Sequence, residues 1–324
     1  MESRSKSAQM VRAAELYYEK GLNQTEIAAI LGCSASTVSR LLSDAHAQGV
    51  VEIIIHRPVE KIPELSEEFR RTFNLRDAVV VQNGEDYEDS LKSVAAAAAE
   101  LLVSVLRDND LLAISMGVTL YHTVNALSST TFRGIEVVQL LGGLGEGDPQ
   151  VDGPELAMRF ARKLNGSYRY INAPAVVETT ELCTHLLQQP QIANTIERAS
   201  NARVMLTGIG ALADRLSSLV RAGYLSDAEI DDLIRKGAVG HLNGRMIDIN
   251  GQESRHPYNG RVVGAPLEIL RRAEWSIGVA ASKRKAHAIL GAIRGHYNNV
   301  LILDEGTAHE VLRVAQAEPA GASD

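Results

Sequence analysis

Asn23-Gln24-Thr25-Glu26-Ile27-Ala28-Ala29-Ile30-Leu31-Gly32-Cys33-Ser34-Ala35-Ser36-Thr37-Val38-Ser39-Arg40-Leu41-Leu42-Ser43 decides how the chain begins to fold. Asn23 followed three residues later by Glu26 is a capping box, so a helix starts there. Ile27, Ile30 and Leu31 give that helix an apolar face. Gly32 supplies the left-handed conformation that stops it. Ser34 can cap the next helix, which the pattern carries to about Ala47. Two short helices separated by Gly32-Cys33-Ser34 predict a helix-turn-helix. At about 100° per residue, Val38, Leu41, Leu42 and Ala45 fall on one side of the second helix. Ser36, Arg40 and Ser43 fall opposite, with Thr37 and Asp44 flanking.

The outward face suits DNA. Hydroxyls of Ser34, Ser36, Thr37, Ser39 and Ser43 can bond phosphates or base edges, and Arg40 can pair bidentately with guanine. Between Gly32 and Ser43, Arg40 is the only charged residue, so no acid repels phosphate. The competing reading is a three-helix packing module with a solvated polar face. Upstream, Met10, Ala13, Ala14, Tyr17 and Tyr18 recur at helical spacing and Gly21 ends their helix. Downstream, Gly49 releases the chain into Val50-Val51-Glu52-Ile53-Ile54-Ile55, a predicted strand. Cys33 reads as a packing residue of the turn.

Pro58 and Pro63 bracket a junction, which predicts a helix-turn-helix domain over 1–57 and a second domain over 58–324. The length of 324 residues agrees with two domains at roughly 150 each. The first 57 residues carry six Lys/Arg (Arg4, Lys6, Arg12, Lys20, Arg40, Arg57) and six Asp/Glu (Glu2, Glu15, Glu19, Glu26, Asp44, Glu52). The whole net charge of −7 therefore sits in the second domain, which excludes a histone-like basic chain. A neutral DNA reader binds weakly alone, so homodimers or homotetramers on repeated half-sites are expected. Hydrophobic residues at 45% exclude global disorder, and aromatics at 4% leave the core to Leu, Ile, Val and Ala. Two cysteines, Cys33 and Cys183, make neither a disulfide framework nor a four-Cys metal site. No apolar signal core and no run of about 18 apolar residues stands out, so a soluble, cytoplasmic chain without membrane contact is expected.

From Pro58 onward apolar runs alternate with helical stretches. Strands are predicted at 78–81, 111–115, 135–141, 168–173, 204–207, 275–280 and 300–303. Several are apolar throughout, as strands buried on both faces are. An α/β domain with a mainly parallel sheet follows. Three small-residue turns stand at the strand ends. Ser115-Met116-Gly117-Val118-Thr119 joins a strand to a helix, offering free N–H groups, two hydroxyls and the positive helix end to an anion; simple helix capping explains it equally well. Gln139 to Gly147 is glycine-rich, but Asp148-Pro149 follows and no helix opens, which argues against a dinucleotide site. Thr207-Gly208-Ile209-Gly210 follows the next strand. Ligands of open α/β sheets bind at such ends, so the three turns define one candidate pocket. Lys285 opens the helix before the last strand and either faces this pocket or is solvated. No metal-ligand spacing and no nucleophile elbow is found, so no metal, cofactor or catalytic set is expected.

Assembled, these residues resemble the SorC/DeoR-type sugar-binding transcriptional regulators of bacteria. The resemblance runs through 16–28, the helix-turn-helix, 115–119, Gln139 with Gly142-Gly143, 207–210, Arg235-Lys236-Gly237-Ala238-Val239-Gly240 and 301–305. It implies an N-terminal DNA-binding domain and an effector domain similar to sugar-phosphate isomerases and deaminases. It also implies a sugar phosphate, sugar or polyol-derived effector, operator DNA and homo-oligomers. By motif match, Ser115, Gly117 and Thr119 would hold a phosphate with Lys285 as counter-charge, and Gln139, Gly142, Gly143, Gly208, Gly210 and Asp248 would line the pocket. The chain departs from the usual pattern at Met116 and Val118 (usually Trp and Arg), Leu141 (usually Asn), His241 (usually Asp) and Ala281-Ser282 (usually Gly-Gly). The alternatives are a sugar-phosphate isomerase or deaminase-like enzyme with an accessory helical domain, for which Asp248 and His241 are the candidate bases, and a helix-turn-helix used for protein contact alone.

Overall fold

A computed structural model describes residues 2–51, 59–145, 148–212 and 217–317. The chain separates into two units, Met1–His56 and Arg57–Asp324. The first holds α1 (Glu2–Ala14), continued by a wider π turn over Glu15–Glu19, then α2 (Gln24–Leu31) and α3 (Ala35–Ala47). Both halves of the Asn23/Glu26 capping box are formed. Gly32 ends α2 at φ 65°, and the Ser34 side chain accepts the Thr37 amide to start α3. Helices this short are marginal alone and depend on a shared core. That core is Met10, Ala13, Leu16, Ile27, Val38, Leu41, Leu42 and Ala45 with their neighbours. Burying each large aliphatic side chain contributes about 1.5–3 kcal/mol. The strand expected from Val50 is not formed at Val50 and Val51, and its remainder lies in 52–58, outside the described residues.

The second unit is α/β. In chain order come α4 (Pro63–Thr72), β1 (Asp77–Val81), α5 (Tyr87–Val105), β2 (Leu111–Ile114), α6 (Val118–Ala126), β3 (Glu136–Gln139), α7 (Gly153–Lys163), β4 (Ser167–Arg169), α8 (Thr180–Leu187), α9 (Pro190–Ser200) and β5 (Val204–Ala211). Then follow α10 (Ser218–Arg221), α11 (Asp227–Arg235), β6 (Ala238–Leu242), β7 (Arg245–Asp248), α12 (Glu268–Arg272), β8 (Trp275–Ala280), α13 (Ala286–Arg294), β9 (Val300–Asp304) and α14 (Glu305–Ala317). The main sheet runs β1-β9-β8-β5-β2-β3-β4, with every pair parallel. All seven strands expected from the sequence are in it. Its two faces carry separate cores. One packs α5, α6 and α7 through Leu91, Leu102, Leu120 and Phe160. The other packs α4, α13 and α14 through Phe69, Ile289, Leu290 and Val311.

Two features depart from the sequence expectation. Residues 208–211 are not a turn: β5 runs on to Ala211 and pairs antiparallel with β6, Ile209 opposite Leu242 and Gly210 opposite His241. Second, β6 and β7 form a hairpin the alternation of strands and helices did not announce. Its two-residue loop is Asn243-Gly244, with φ of 45° and 77°, the pair of left-handed residues that matches strand twist. The hairpin lies close because Gly240 has no side chain; a Cβ there would meet Gly210 O and the Ala288 Cβ, both at 2.4 Å. Gly240→Ala must therefore push the hairpin off β5 and α13. It is expected to lower unfolding free energy by about 1–3 kcal/mol, read from urea denaturation of the full chain.

Candidate functional site

The order of the parallel sheet reverses between β2 and β5: from β2 the chain moves outward to β3 and β4, and from β5 it moves the other way to β8 and β9. Crossover loops diverge at such a point and leave a crevice at the carboxyl ends of the strands. Here the crevice is a cavity of about 70 Å³. Ser115, Gly117, Thr119, Gly208, Gly210 and Lys285 all line it, from three separate parts of the chain.

The wall after β2 presents hydroxyls and the start of a helix to the cavity. Gly117 adopts φ 118°, which only glycine tolerates well, and its amide is held by Val151 O at 3.1 Å. Gly117 is also the N-cap of α6 and gives it no side-chain cap, so the positive helix end opens on the cavity. Ser115 Oγ accepts the Gly208 amide at 3.1 Å and keeps its proton to offer. Thr119 is buried.

Opposite stands Lys285. It is 8% exposed, and its ammonium has no hydrogen bond or ion pair among the described residues. Burial, reinforced by Arg221, lowers its pKa to about 8, while Asp304 acts the other way. Asp304 itself is occupied. Its carboxylate accepts the Ser282 amide at 3.0 Å, the Thr307 amide at 2.9 Å and the Thr307 hydroxyl at 2.6 Å. Ser282 stands where a glycine pair is usual, yet it keeps a glycine-like backbone at φ 107°. The two acceptors on its amide hold this strained turn, which delivers Lys285 to the cavity at the foot of α13.

Sequence reasoning missed four polar side chains of the cavity, Tyr87, Ser217, Arg221 and Asn243, and its neighbours Leu219 and Gly244. Asn243 was signalled by the Asn-Gly hairpin; the other three reach the cavity only through topology. His241, noted as a departure, also lines it. Its Nε2 lies 2.6 Å from Ser217 Oγ, and its Nδ1 is buried without a partner among the described residues.

The remaining predicted residues lie elsewhere. Gln139 is fully buried behind the cavity, where its side-chain oxygen accepts the Ile171 amide. Gly142 binds Val263 O through its amide, and a Cβ there would meet Ala173 O at 2.5 Å. Gly143 lines a separate groove with Tyr170 and Tyr224. Asp248 caps the turn after β7 by accepting the Asn250 and Gln252 amides, and pairs with Ala238 at the end of the hairpin away from His241. The two candidate bases are thus kept apart.

In the first unit, Ser34, Ser36, Ser39, Arg40 and Ser43 are exposed on α3, with Thr37 half-buried. Ser34 Oγ lies 2.8 Å from Ser36 Oγ and 2.9 Å from Thr37 Oγ1, while Arg40 rests on Ser36 O at 3.4 Å. Among the described residues no helix is long and apolar enough to cross a membrane, and no His/Cys/Asp/Glu group is placed to hold a metal.

A helix-turn-helix with a polar recognition face, joined in one chain to an α/β unit with an anion-ready cleft, defines a ligand-responsive DNA-binding regulator. Comparison with known proteins gives the family. A sugar-binding domain family matches residues 57–313, and a homeodomain-like domain matches residues 9–51. The deoxyribonucleoside regulator of Bacillus subtilis is 32% identical over 310 residues, covering 95% of this chain and 98% of that protein. The transcriptional regulator LsrR of Escherichia coli is 31% identical over 310 residues, covering 94% of each. The full-length sorbitol operon regulator SorC of Klebsiella pneumoniae superposes with a TM-score of 0.73 at 28% identity, covering 95% of this chain and 99% of that one. The chain belongs to the SorC-type family of sugar-binding transcriptional regulators.

The neutral state of His241 has a measurable consequence. Burial first, and Lys285 second, lower its pKa from 6.5 to about 4. Between these values the unfolded chain binds a proton that the folded chain refuses, so His241 costs stability as pH falls through this window and has no effect above it. His241→Gln is expected to flatten the stability profile between pH 6.5 and 4, followed by thermal denaturation; an unchanged slope would reject the assignment.

Proposed function

We propose that the chain represses or activates transcription from an operator that α3 reads, under control of a sugar phosphate or related polyol phosphate held in the β2/β5 cleft. The DNA-reading domain is 1–57; domain 58–324 binds the effector and carries the contacts of a homodimer or homotetramer. The observation that carries this reading is the unpaired, buried Lys285 facing the same cavity as the uncapped start of α6. A buried ammonium without a counter-charge is costly, and a phosphate relieves it while satisfying the helix N–H groups.

Regulation fits better than catalysis. Isomerisation or deamination needs a positioned carboxylate or imidazole base. Among the described residues no carboxylate lines the cavity, Asp248 is tied into its turn, and His241 is engaged by Ser217. A ligand that prefers one conformation of the protein shifts the population toward it. A 100-fold change in DNA affinity requires about 2.7 kcal/mol of such coupling.

Two variants test the two ends. Arg40→Ala is expected to cost about 1–3 kcal/mol of operator discrimination without changing the melting temperature, since Arg40 is exposed. Gel mobility shifts on DNA upstream of the protein's own gene would measure it, and an unaltered footprint would reject the recognition face. Thr119→Val keeps the shape but removes a hydroxyl. It is expected to raise the effector concentration for half-response by about tenfold or more, the worth of a hydrogen bond to a charged group, with effector-free DNA affinity unchanged.

A further inference from the structure

Among the described residues every formally charged side chain lining the cavity is a cation, Lys285 or Arg221. Arg221 is exposed and makes no ion pair or hydrogen bond among the described residues. Both cations bear on the same spot: Arg221 acts electrostatically on Lys285 and on Tyr87, another lining residue. The carboxylate that acts on Lys285, Asp304, is filled by three donors from Ser282 and Thr307.

His241 stands beside them. Its Nε2 lies 2.6 Å from Ser217 Oγ, which also accepts the Leu219 amide at 3.2 Å. In the tautomer in which Ser217 donates to Nε2, the neutral imidazole carries its hydrogen on Nδ1, which has no partner among the described residues. Asn243 spends its amide N–H groups on Leu140 O and Ala265 O, and its side-chain oxygen is a buried, neutral acceptor without a partner among the described residues. A sugar hydroxyl placed between Arg221 and His241 would find a fixed cation and no carboxylate to accept its proton. An anionic oxygen would find a planar guanidinium suited to paired hydrogen bonds.

We propose that the cavity selects a doubly anionic effector: a sugar or polyol phosphate bearing a second acid group, carboxylate or phosphate, at its other end. One phosphate sits between the start of α6 and Lys285, and Arg221 with His241 reads the second group. This rests on the assignment of the cleft as a phosphate site and deepens it.

The test uses the full-length chain and matched probes. Glycerol 3-phosphate is set against 3-phosphoglycerate, glucose 6-phosphate against 6-phosphogluconate, and fructose 6-phosphate against fructose 1,6-bisphosphate, by calorimetry with inorganic phosphate as reference. The first two pairs add a carboxylate and the third a phosphate, so they separate the two forms of the second group. The doubly anionic member of at least one pair is expected to bind about tenfold or more tighter than its partner, the scale of a charge-assisted hydrogen-bond pair. Arg221→Gln is expected to shrink that preference to about twofold or less. His241→Asp, which adds an acceptor, is expected to reverse it; should that variant fold poorly, the exposed Arg221 still decides. Equal or weaker binding of the doubly anionic member in every pair overturns the proposal. If phosphate protects the protein but no pair shows a preference, only this inference falls. If neither phosphate nor any probe binds, the phosphate reading of the cleft falls with it.

Discussion

The reversal of strand order between β2 and β5 is the constraint on which the larger unit depends. A right-handed crossover from β2 to β3 must leave on one side, and one from β5 to β8 on the other. Two packed faces, with Leu120 and Phe160 on one and Phe69 and Ile289 on the other, leave no freedom to close the gap between them. The crevice is therefore a product of topology, available before any side chain is chosen for binding. What this sequence adds is chemistry at its edges: an uncapped helix start on the β2 side and a buried lysine on the β8 side.

Lys285 reaches that crevice through a strained turn. A non-glycine residue at φ 107° costs on the order of 1–3 kcal/mol. Ser282 sustains it because its amide finds two acceptors at once, Asp304 and Thr307, both buried at the start of α14. The departure from a glycine pair thus preserves the path of the backbone, and the compensation is stored one helix away. The substitution at 241 works differently. Its imidazole fits only because Gly210 lacks a Cβ, which would otherwise meet the ring at 2.1 Å. Here an imidazole stands where a carboxylate is usual, and the electrostatic character of the wall is what differs.

Where periodicity is strong, the fold is legible without coordinates. The Asn23/Glu26 box, Gly32 and the Val38-Leu41-Leu42-Ala45 stripe are local signals, written within one or two helical turns, although the helices they mark depend on the shared core. The seven parallel strands read as apolar because both their faces are covered. The hairpin over 238–248 escaped since Gly240 and His241 interrupt the first strand and only Met246 and Ile247 are apolar in the second, so neither reads as an apolar run; only Asn243-Gly244 announced it. Ser115, Gly117, Thr119 and Lys285 were legible as parts of the cleft because strand-end turns are local. Arg221 and Ser217 were not, since nothing in their own neighbourhood says which cavity the chain will bring them to. Gln139, Gly142 and Asp248 show the reverse: they hold neighbouring loops together, at a distance from the cavity lining.

The charge division between the two units bears on how such a regulator can be controlled. Six cations against six anions give the first 57 residues no net attraction to a polyanion. Non-specific affinity comes chiefly from neutralised phosphates, so this headpiece holds little in reserve and base contacts must supply a larger share. A reader that relies on few base contacts gains most from acting in more than one copy against genomic competition. Two linked copies convert the second contact into an intramolecular one, and the gain depends steeply on whether spacing matches the half-sites. A weak, neutral reader is therefore the kind most easily released by a modest change in the arrangement of its copies. A strongly basic reader would stay bound through its phosphates whatever the effector did.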